Sequence, residues 1–250
     1  ESGCGAALLG IKKGYDVFVS DHKPLSAKAE KFMLEHGIDH EHGGHTMARI
    51  LTADVVVKSP GIPDHLTLIK EIVASGIPVI SEIEWGFRFT QKPIIAITGS
   101  NGKTTTTAMI HKLLSDAGIS AGLGGNIGKS FAAQVMGDEP DYYVLEISSF
   151  QLDGITGLEP TAATVLNLSQ DHLDWHGSMQ AYAEAKARIY GKQAIMVINR
   201  DDDAVAAMVP PPEVIKSTVR GRPAKQIHRN VVRFGLDAGN LSARIENAVG

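Results

Sequence analysis

Apolar residues recur along this chain in two alternating spacings. Short β-branched runs of strand length give way, after a glycine or polar turn, to stretches with apolar residues three and four apart. Glu1-Ser-Gly-Cys-Gly-Ala-Ala-Leu-Leu-Gly10 reads as a glycine turn entering a helix, and Tyr15-Asp-Val-Phe-Val-Ser-Asp21 as a strand ending in an acid. Ser26 to His36 predicts a helix whose apolar residues are Ala27, Ala29, Phe32, Met33 and Leu34. Asp54-Val-Val-Val-Lys58 predicts a buried parallel strand, and Ser59-Pro-Gly61 its turn. Asp64 is the expected cap of a helix running through Leu66, Leu68, Ile69, Ile72 and Val73 to Gly76. Val79-Ile80 predicts a short strand, and Ser81 to Phe89 a helix with Ser81 and Glu84 spaced as a capping box.

Thr90-Gln-Lys-Pro93 is a polar break, and the domain boundary is expected there, giving units of residues 1–90 and 91–250. Beyond it the strands are Ile94 to Ile97, Asp141 to Ile147, Thr161 to Leu168 and Ala194 to Asn199. The helices are Thr104 to Ala117, Lys129 to Met136 and Met179 to Tyr190, with a glycine-rich strand and loop from Gly118 to Gly128. Pro210-Pro-Pro212 and Arg220 to Arg229 read as surface loops, and Leu241-Ser-Ala-Arg-Ile-Glu246 as a strand. Such alternation predicts an α/β protein: a Rossmann-like parallel sheet, then a doubly wound sheet with helices on both faces. The chain begins without Met, inside a glycine turn, and stops after its last strand. The expectation is a piece of a longer protein, with the first strand of the N-terminal unit missing and the second unit incomplete.

Hydrophobic content of 43% and charged content of 21% are those of an ordinary soluble globular chain. A net charge of −4 gives no electrostatic case for nucleic acid or an acidic membrane surface as partner. Cys4 is the only cysteine, so no intrachain disulfide forms, which fits a reducing cytoplasm. No apolar run approaches the roughly 18–20 residues of a membrane span, and no signal peptide is visible.

The chemistry gathers behind the boundary. Ile94 to Ile97 ends in Thr98-Gly-Ser-Asn-Gly-Lys-Thr104, and a helix opens at once. This is the strand–loop–helix setting of a phosphate-binding loop. Gly99 and Gly102 let the backbone approach an anion, and the N–H groups of Ser100, Asn101 and the first helical turn, Thr105 included, point at it. Lys103 adds a positive charge for the terminal phosphates, and Thr104 a hydroxyl for Mg²⁺. The common pattern places a glycine five residues before Gly102; Ile97 stands there instead, so this loop is short. Glu146 ends the apolar strand Tyr142-Tyr-Val-Leu145, where an acid can hold Mg²⁺ or simply face solvent. Asn167-Leu-Ser-Gln-Asp-His-Leu-Asp-Trp-His176 follows another strand; His172 is the preferred second metal ligand, while Asp171, Asp174 and His176 read equally well as loop structure. Composition assigns no role to Lys186, a lysine in a helix. Asp21 reads as a ribose ligand or an ordinary strand-end acid. His40, His42 and His45 read as a solvated glycine-containing loop without strand-end context, and Asp201-Asp-Asp203 as a helix cap.

Together these motifs resemble the Mur ligases, the ATP-dependent amide-forming enzymes of peptidoglycan precursor synthesis. Thr98 to Thr104 is similar to that family's shortened P-loop. Gly124-Gly-Asn-Ile-Gly128, Glu146-Ile-Ser-Ser-Phe-Gln-Leu152 and Asn167…Asp171-His172…Asp174 follow in the family's order. The Ser148-Ser-Phe-Gln-Leu152 string looks like that of the branch adding D-glutamate to UDP-N-acetylmuramoyl-L-alanine. The resemblance implies a P-loop ATPase domain in which Lys103 binds triphosphate, Thr104 and Glu146 serve one Mg²⁺, and His172 a second. It implies that Lys186 is carbamylated and helps hold the second ion, and that Asn126 contacts the nucleotide-sugar peptide. It places Ser2, Asp21, His22, Lys23, Ser59, Pro60 and Gly61 where the UDP end is held. It also implies a third domain, absent from this chain, that chooses the amino acid.

Overall fold

The computed structural model describes residues 2–215, 225–237 and 240–241. Helix and strand alternate from the start: α1 (Ser2–Lys12), β1 (Phe18–Asp21), α2 (Ala27–Glu35), β2 (Asp39–His42), α3 (Met47–Ile50), β3 (Val56–Lys58), α4 (Thr67–Ala74), β4 (Val79–Ser81) and α5 (Glu82–Phe87). β1 pairs with β2 and β3 with β4, both in parallel. The Ser26 hydroxyl caps α2 by accepting from the Ala29 N–H.

Three local expectations in this half are corrected. Asp39 to His42 is a strand, so His40 and His42 lie on a sheet edge; their alternation with acids carries no apolar signal to read. His45, just beyond, places Nδ1 2.7 Å from the Ser20 hydroxyl. Asp64 does not cap α4, whose N-cap position is Leu66. Its carboxylate sits 2.8 Å from the Lys58 ammonium, only 6% exposed, which also donates to the Ile62 carbonyl. A buried cation without a carboxylate costs more than an uncapped helix, so the pairing prevails. Finally, only half of the capping box forms. The Ser81 hydroxyl accepts from the Glu84 N–H, but the Glu84 side chain turns elsewhere.

The second half continues with β5 (Ile94–Thr98), α6 (Lys103–Asp116), β6 (Ala121–Gly125), α7 (Phe131–Val135), β7 (Tyr142–Glu146), α8 (Ser149–Asp153), β8 (Ala162–Val165), α9 (Leu173–His176), α10 (Met179–Ala187), β9 (Ile195–Asn199), α11 (Asp203–Ala206), β10 (Glu213–Ile215), β11 (Lys225–Ile227), β12 (Val231–Phe234), β13 (Leu236–Asp237) and β14 (Asn240–Leu241). Six strands form one parallel sheet in the order β12-β9-β8-β5-β7-β6. The order reverses at β5, with β7 and β8 as its two neighbours. In open parallel sheets that reversal opens a crevice at the strands' carboxyl ends.

Here too the sequence expectations need amendment. α8 has a complete capping box, Ser148 with Gln151, that the periodicity missed because one helical turn is too short to show a period. α10 tightens into a 3₁₀ turn at Arg188–Tyr190. Lys225 to Ile227 is not loop but pairs antiparallel with β10. Arg229 is half-buried and donates to the Tyr190, Gly191 and Ala194 carbonyls. The expected loop at 220–224 and most of the strand from Leu241 to Glu246 lie outside the described residues. Asp202 caps α11 as expected.

One apolar cluster crosses the polar break at 90–93, joining Leu9, Ile80, Ile83 and Trp85 to Ile94, Phe131 and Tyr143. Two acids of α5 reach across the same joint. Glu82 accepts from the Ser130 hydroxyl and the Ala132 N–H, at 2.5 and 2.7 Å, and burial raises its pKa against those bonds. Glu84, 2% exposed, accepts from the N–H groups of Thr156, Gly157 and Leu158 at 3.0–3.2 Å and from the Thr156 hydroxyl at 3.1 Å. Replacing it by alanine strands those donors, and Glu84→Ala is expected to cost about 3 kcal/mol in urea denaturation, with Glu84→Gln costing less.

Candidate functional site at the carboxyl edge of the parallel sheet

The phosphate-loop candidate leaves β5 at the reversal of strand order. Gly99 has φ 150° and Gly102 φ 80°, conformations that side chains other than glycine rarely adopt. A Cβ on Gly99 would also stand 3.1 Å from the Leu166 side chain and 3.2 Å from its backbone N. Gly102 is the N-cap of the 14-residue α6 and brings no capping side chain. The N–H groups of Lys103, Thr104 and Thr105 precede the first intrahelical donor, the Thr106 N–H bonded to the Gly102 carbonyl, and the helix dipole adds positive potential. Such an N-terminus is an anion site, here with a lysine at its mouth. The Lys103 ammonium donates to the Gly99 and Ser100 carbonyls, both at 2.9 Å.

Glu146 closes the next strand. Parallel register sets it beside Ile97, one residue before the loop strand ends. It is 2% exposed, which overturns the solvent-facing alternative. One carboxylate oxygen accepts from the Thr104 hydroxyl at 2.8 Å and the other from the Asn126 amide at 2.8 Å. Asn126 also donates its backbone N–H to the Glu146 carbonyl. A hydroxyl and a carboxylate in contact beside a phosphate loop form an all-oxygen donor pair, and this suits Mg²⁺, which takes one or two protein oxygens alongside phosphates and water. Among the described residues no group of three or more His, Cys, Asp and Glu side chains is arranged to hold a metal. The two oxygens of Thr104 and Glu146 leave the remaining positions of such an ion to a phosphate ligand and water.

Lys186 on α10 lies beneath the loop, 1% exposed. Its ammonium donates to the Gly99 carbonyl at 2.9 Å and the Thr98 hydroxyl at 3.4 Å, and stands 4.6 Å from the Tyr182 ring centre. Lys103 and Lys186 thus share one carbonyl oxygen. Burial first and the Lys103 charge second pull the Lys186 pKa down to about 7, with Asp171 opposing. No periodicity could find this residue, because its significance lies in what folds over it.

His172 has φ 52°, the only non-glycine residue with positive φ among those described. Its ring lies 4.9 Å from that of Phe150 and 6.4 Å from that of Tyr182, and its Nε2 is 3.4 Å from Asp171. No hydrogen bond links it to Glu146. His176 bonds the Ser149 hydroxyl at 3.0 Å and stacks on Phe150; burial depresses its pKa. The acid- and histidine-rich stretch is thereby held to the two elements that flank Glu146 and Lys186.

Three residues without an assigned role in the sequence reading tie this stretch and α10 to the phosphate loop. Asn167 bonds both the N–H and the C=O of Asn101, Ser169 bonds Ser100, and the Tyr182 hydroxyl lies 3.3 Å from that of Ser100. Contacts between residues 66 to 82 positions apart leave no local trace in a sequence.

The N-terminal candidates sit at strand ends. Asp21, His22 and Lys23 are exposed at the end of β1, with Asp21 accepting the Lys23 N–H and the His22 ring stacked on His45. Ser59, Pro60 and Gly61 follow β3 in the loop anchored by Lys58, and Ser2 opens α1, which packs on both strands.

Comparison with known proteins agrees with this geometry. The Mur ligase middle domain model matches residues 97–247, more than half of the chain, and the MurD N-terminal domain model residues 7–67. A UDP-N-acetylmuramoylalanine--D-glutamate ligase of Bacteroides fragilis is 50% identical over 194 residues, covering 77% of this chain and 44% of that protein. One from Syntrophus aciditrophicus is 40% identical over 216 residues, covering 83% and 48%. The chain spans under half the length of these relatives. The solved UDP-N-acetylmuramate:L-alanyl-gamma-D-glutamyl-meso-diaminopimelate ligase of Neisseria meningitides has the same fold, with TM-score 0.56, 21% identity, and 82% of this chain and 70% of that one covered. With a short phosphate loop, a buried acid bonded to its threonine and a family model over most of the second sheet, the chain belongs to the Mur ligase family.

Proposed function

We propose that the protein carrying this chain joins the alanyl carboxyl of UDP-N-acetylmuramoyl-L-alanine to the amine of D-glutamate at the expense of ATP. The alanyl carboxylate attacks the γ-phosphorus and ADP leaves. The D-glutamate amine then attacks the acyl phosphate, giving the amide, inorganic phosphate and a proton. The single observation carrying this reading is the Thr104–Glu146 contact beside Lys103 and the open N-terminus of α6. The names of the 40–50% identical relatives supply the substrates.

In this reading residues 1–90 bind the UDP-sugar and residues 91–250 the ATP. Backbone N–H groups from Gly99 to Thr105 orient the phosphates, and Lys103 leaves its two carbonyl partners to place charge on the transferring group. Thr104 and Glu146 would hold one Mg²⁺, and His172 with a carbamylated Lys186 a second. When bound, the ions neutralise phosphate charge. Lys186 suits carbamylation because its depressed pKa supplies a neutral amine, the form that reacts with CO₂. Asn126, already fixed on Glu146 through its amide nitrogen, keeps its amide oxygen for the sugar peptide. Ser2, Asp21, His22, Lys23, Ser59, Pro60 and Gly61 hold the UDP end. No side chain acts as nucleophile, so rate comes chiefly from positioning. The setting proposed is the cytoplasm, where these substrates occur; among the described residues no helix is long and apolar enough to cross a membrane.

The test is ATP-dependent amide formation by the complete protein with a panel of amino acids and either UDP-N-acetylmuramoyl-L-alanine or a folate as acceptor. D-glutamate with the UDP-sugar is expected to exceed every other pairing by at least about a hundredfold. A preference for another amino acid, or for the folate, overturns the substrate assignment.

A further inference from the structure

The end of β8 carries a device that the proposed chemistry does not use directly. The β5–β8 ladder runs as far as the Leu166 N–H donating to Thr98, and the Ser100 N–H then donates to the Asn167 carbonyl at 3.0 Å. Beyond that point the two backbones part. The Asn167 side chain continues the ladder in their place: its Oδ1 accepts the Asn101 N–H at 2.9 Å and its Nδ2 donates to the Asn101 carbonyl at 3.1 Å. A carboxamide is the one short side chain that mimics a peptide group in this way, with donor and acceptor side by side. Glutamine would be one methylene too long, and aspartate offers no donor.

Two residues further on, the Ser100 hydroxyl donates to the Ser169 carbonyl at 3.1 Å and accepts the Ser169 N–H at 3.0 Å, while the Asn101 amide reaches the Ser169 hydroxyl at 3.3 Å. The segment leading to His172 is therefore zipped onto the loop that would receive the phosphates.

We propose that Asn167 is a positioning residue for the nucleotide: it serves as a false strand residue that aims the tip of the phosphate loop and keeps the His172 segment in register with it. The inference rests on reading Gly99 to Thr104 as the phosphate loop. Asn167 touches neither nucleotide nor sugar in this scheme, so its removal acts on one substrate alone.

The complete protein carrying Asn167→Ala or the isosteric Asn167→Asp is expected to show a KM for ATP raised at least about tenfold, with the KM for the UDP-sugar within about twofold of the parent. Asn167→Asp is expected to be the worse of the two, because it sets a carboxylate against the Asn101 carbonyl. Hydrogen–deuterium exchange without nucleotide should show faster exchange confined to residues 99–103 and 167–172. An unchanged KM for ATP in both variants overturns the proposal. So does a parallel rise of both KM values accompanied by a fall in melting temperature, the mark of a general structural role. Should Asn167→Ala fail to fold, Asn167→Asp decides alone. Lys103→Ala in the same assay separates the two levels of argument. If it abolishes ATP use while the Asn167 variants are silent, only the positioning role falls. If it too is silent, the phosphate-loop reading falls with it.

Discussion

Lys103→Ala in the complete protein is expected to lower ATP-dependent amide formation and phosphate release by at least about a thousandfold, because phosphoryl transfer depends on charge placed where charge develops. The fold should survive. The Lys103 ammonium is only half-buried and bonds two carbonyls of its own loop, so no distant element depends on it. A second effect distinguishes this variant from a generic loss. Lys103 is the charge that, after burial, does most to depress the Lys186 pKa. Its removal should therefore let the Lys186 pKa rise, measurable by NMR titration of a lysine labelled at the ε-carbon. Turnover near that of the parent would sink the role assigned to Lys103.

Lys186 gives the other large expected effect. Folded, its amine sheds its proton at about 7; unfolded, it keeps it up to the ordinary lysine range. Between those values unfolding takes up a proton, so stability climbs as pH rises through the window. Below about 7 the folded state bears the full cost of a buried ammonium. In buffer freed of CO₂, the slope contributed by this one group is at most about 1.4 kcal/mol per pH unit. Chemical denaturation from about pH 6.5, just below the folded-state value, to about pH 9, inside the window, should show that climb, and Lys186→Met should flatten it. Bicarbonate should then add a labile CO₂ adduct to the parent and not to Lys186→Ala, with amide formation in that variant reduced at least about a hundredfold. A fully active protein whose Lys186 stays unmodified would remove carbamylation from the mechanism.

Much of this architecture is legible in order along the chain. Short apolar runs bounded by proline, glycine or polar residues locate β5, β7, β8 and β9, and a serine stands at the N-cap of α2, α7 and α10. These are signals carried by residues within a few positions of each other. The failures share one cause. Asp64 and Glu84 each stand where local rules make them caps, and each is drawn off by a partner with a stronger claim: a buried ammonium for Asp64, and a row of unsatisfied N–H groups more than seventy residues away for Glu84. β2 was hidden because a short two-stranded edge needs no apolar alternation.

The candidate site divides in the same way. Residues 98–104 announce a phosphate loop through their own conformational needs, since Gly99 and Gly102 must adopt angles that few other residues take. Motif order and family likeness extend that reading to Glu146, His172 and Lys186. What the chain alone determined is therefore the succession of strands, turns and helices and the local chemistry of the loop, because both depend on near neighbours. Only the folded structure decided that Lys186 is a buried amine beneath that loop, that Glu146 is gripped by Thr104 and Asn126, and that Asn167 completes the ladder. Those facts arise when strand order brings the carboxyl ends of β7, β5 and β8 together, and desolvation and hydrogen bonding there are properties of the assembled edge.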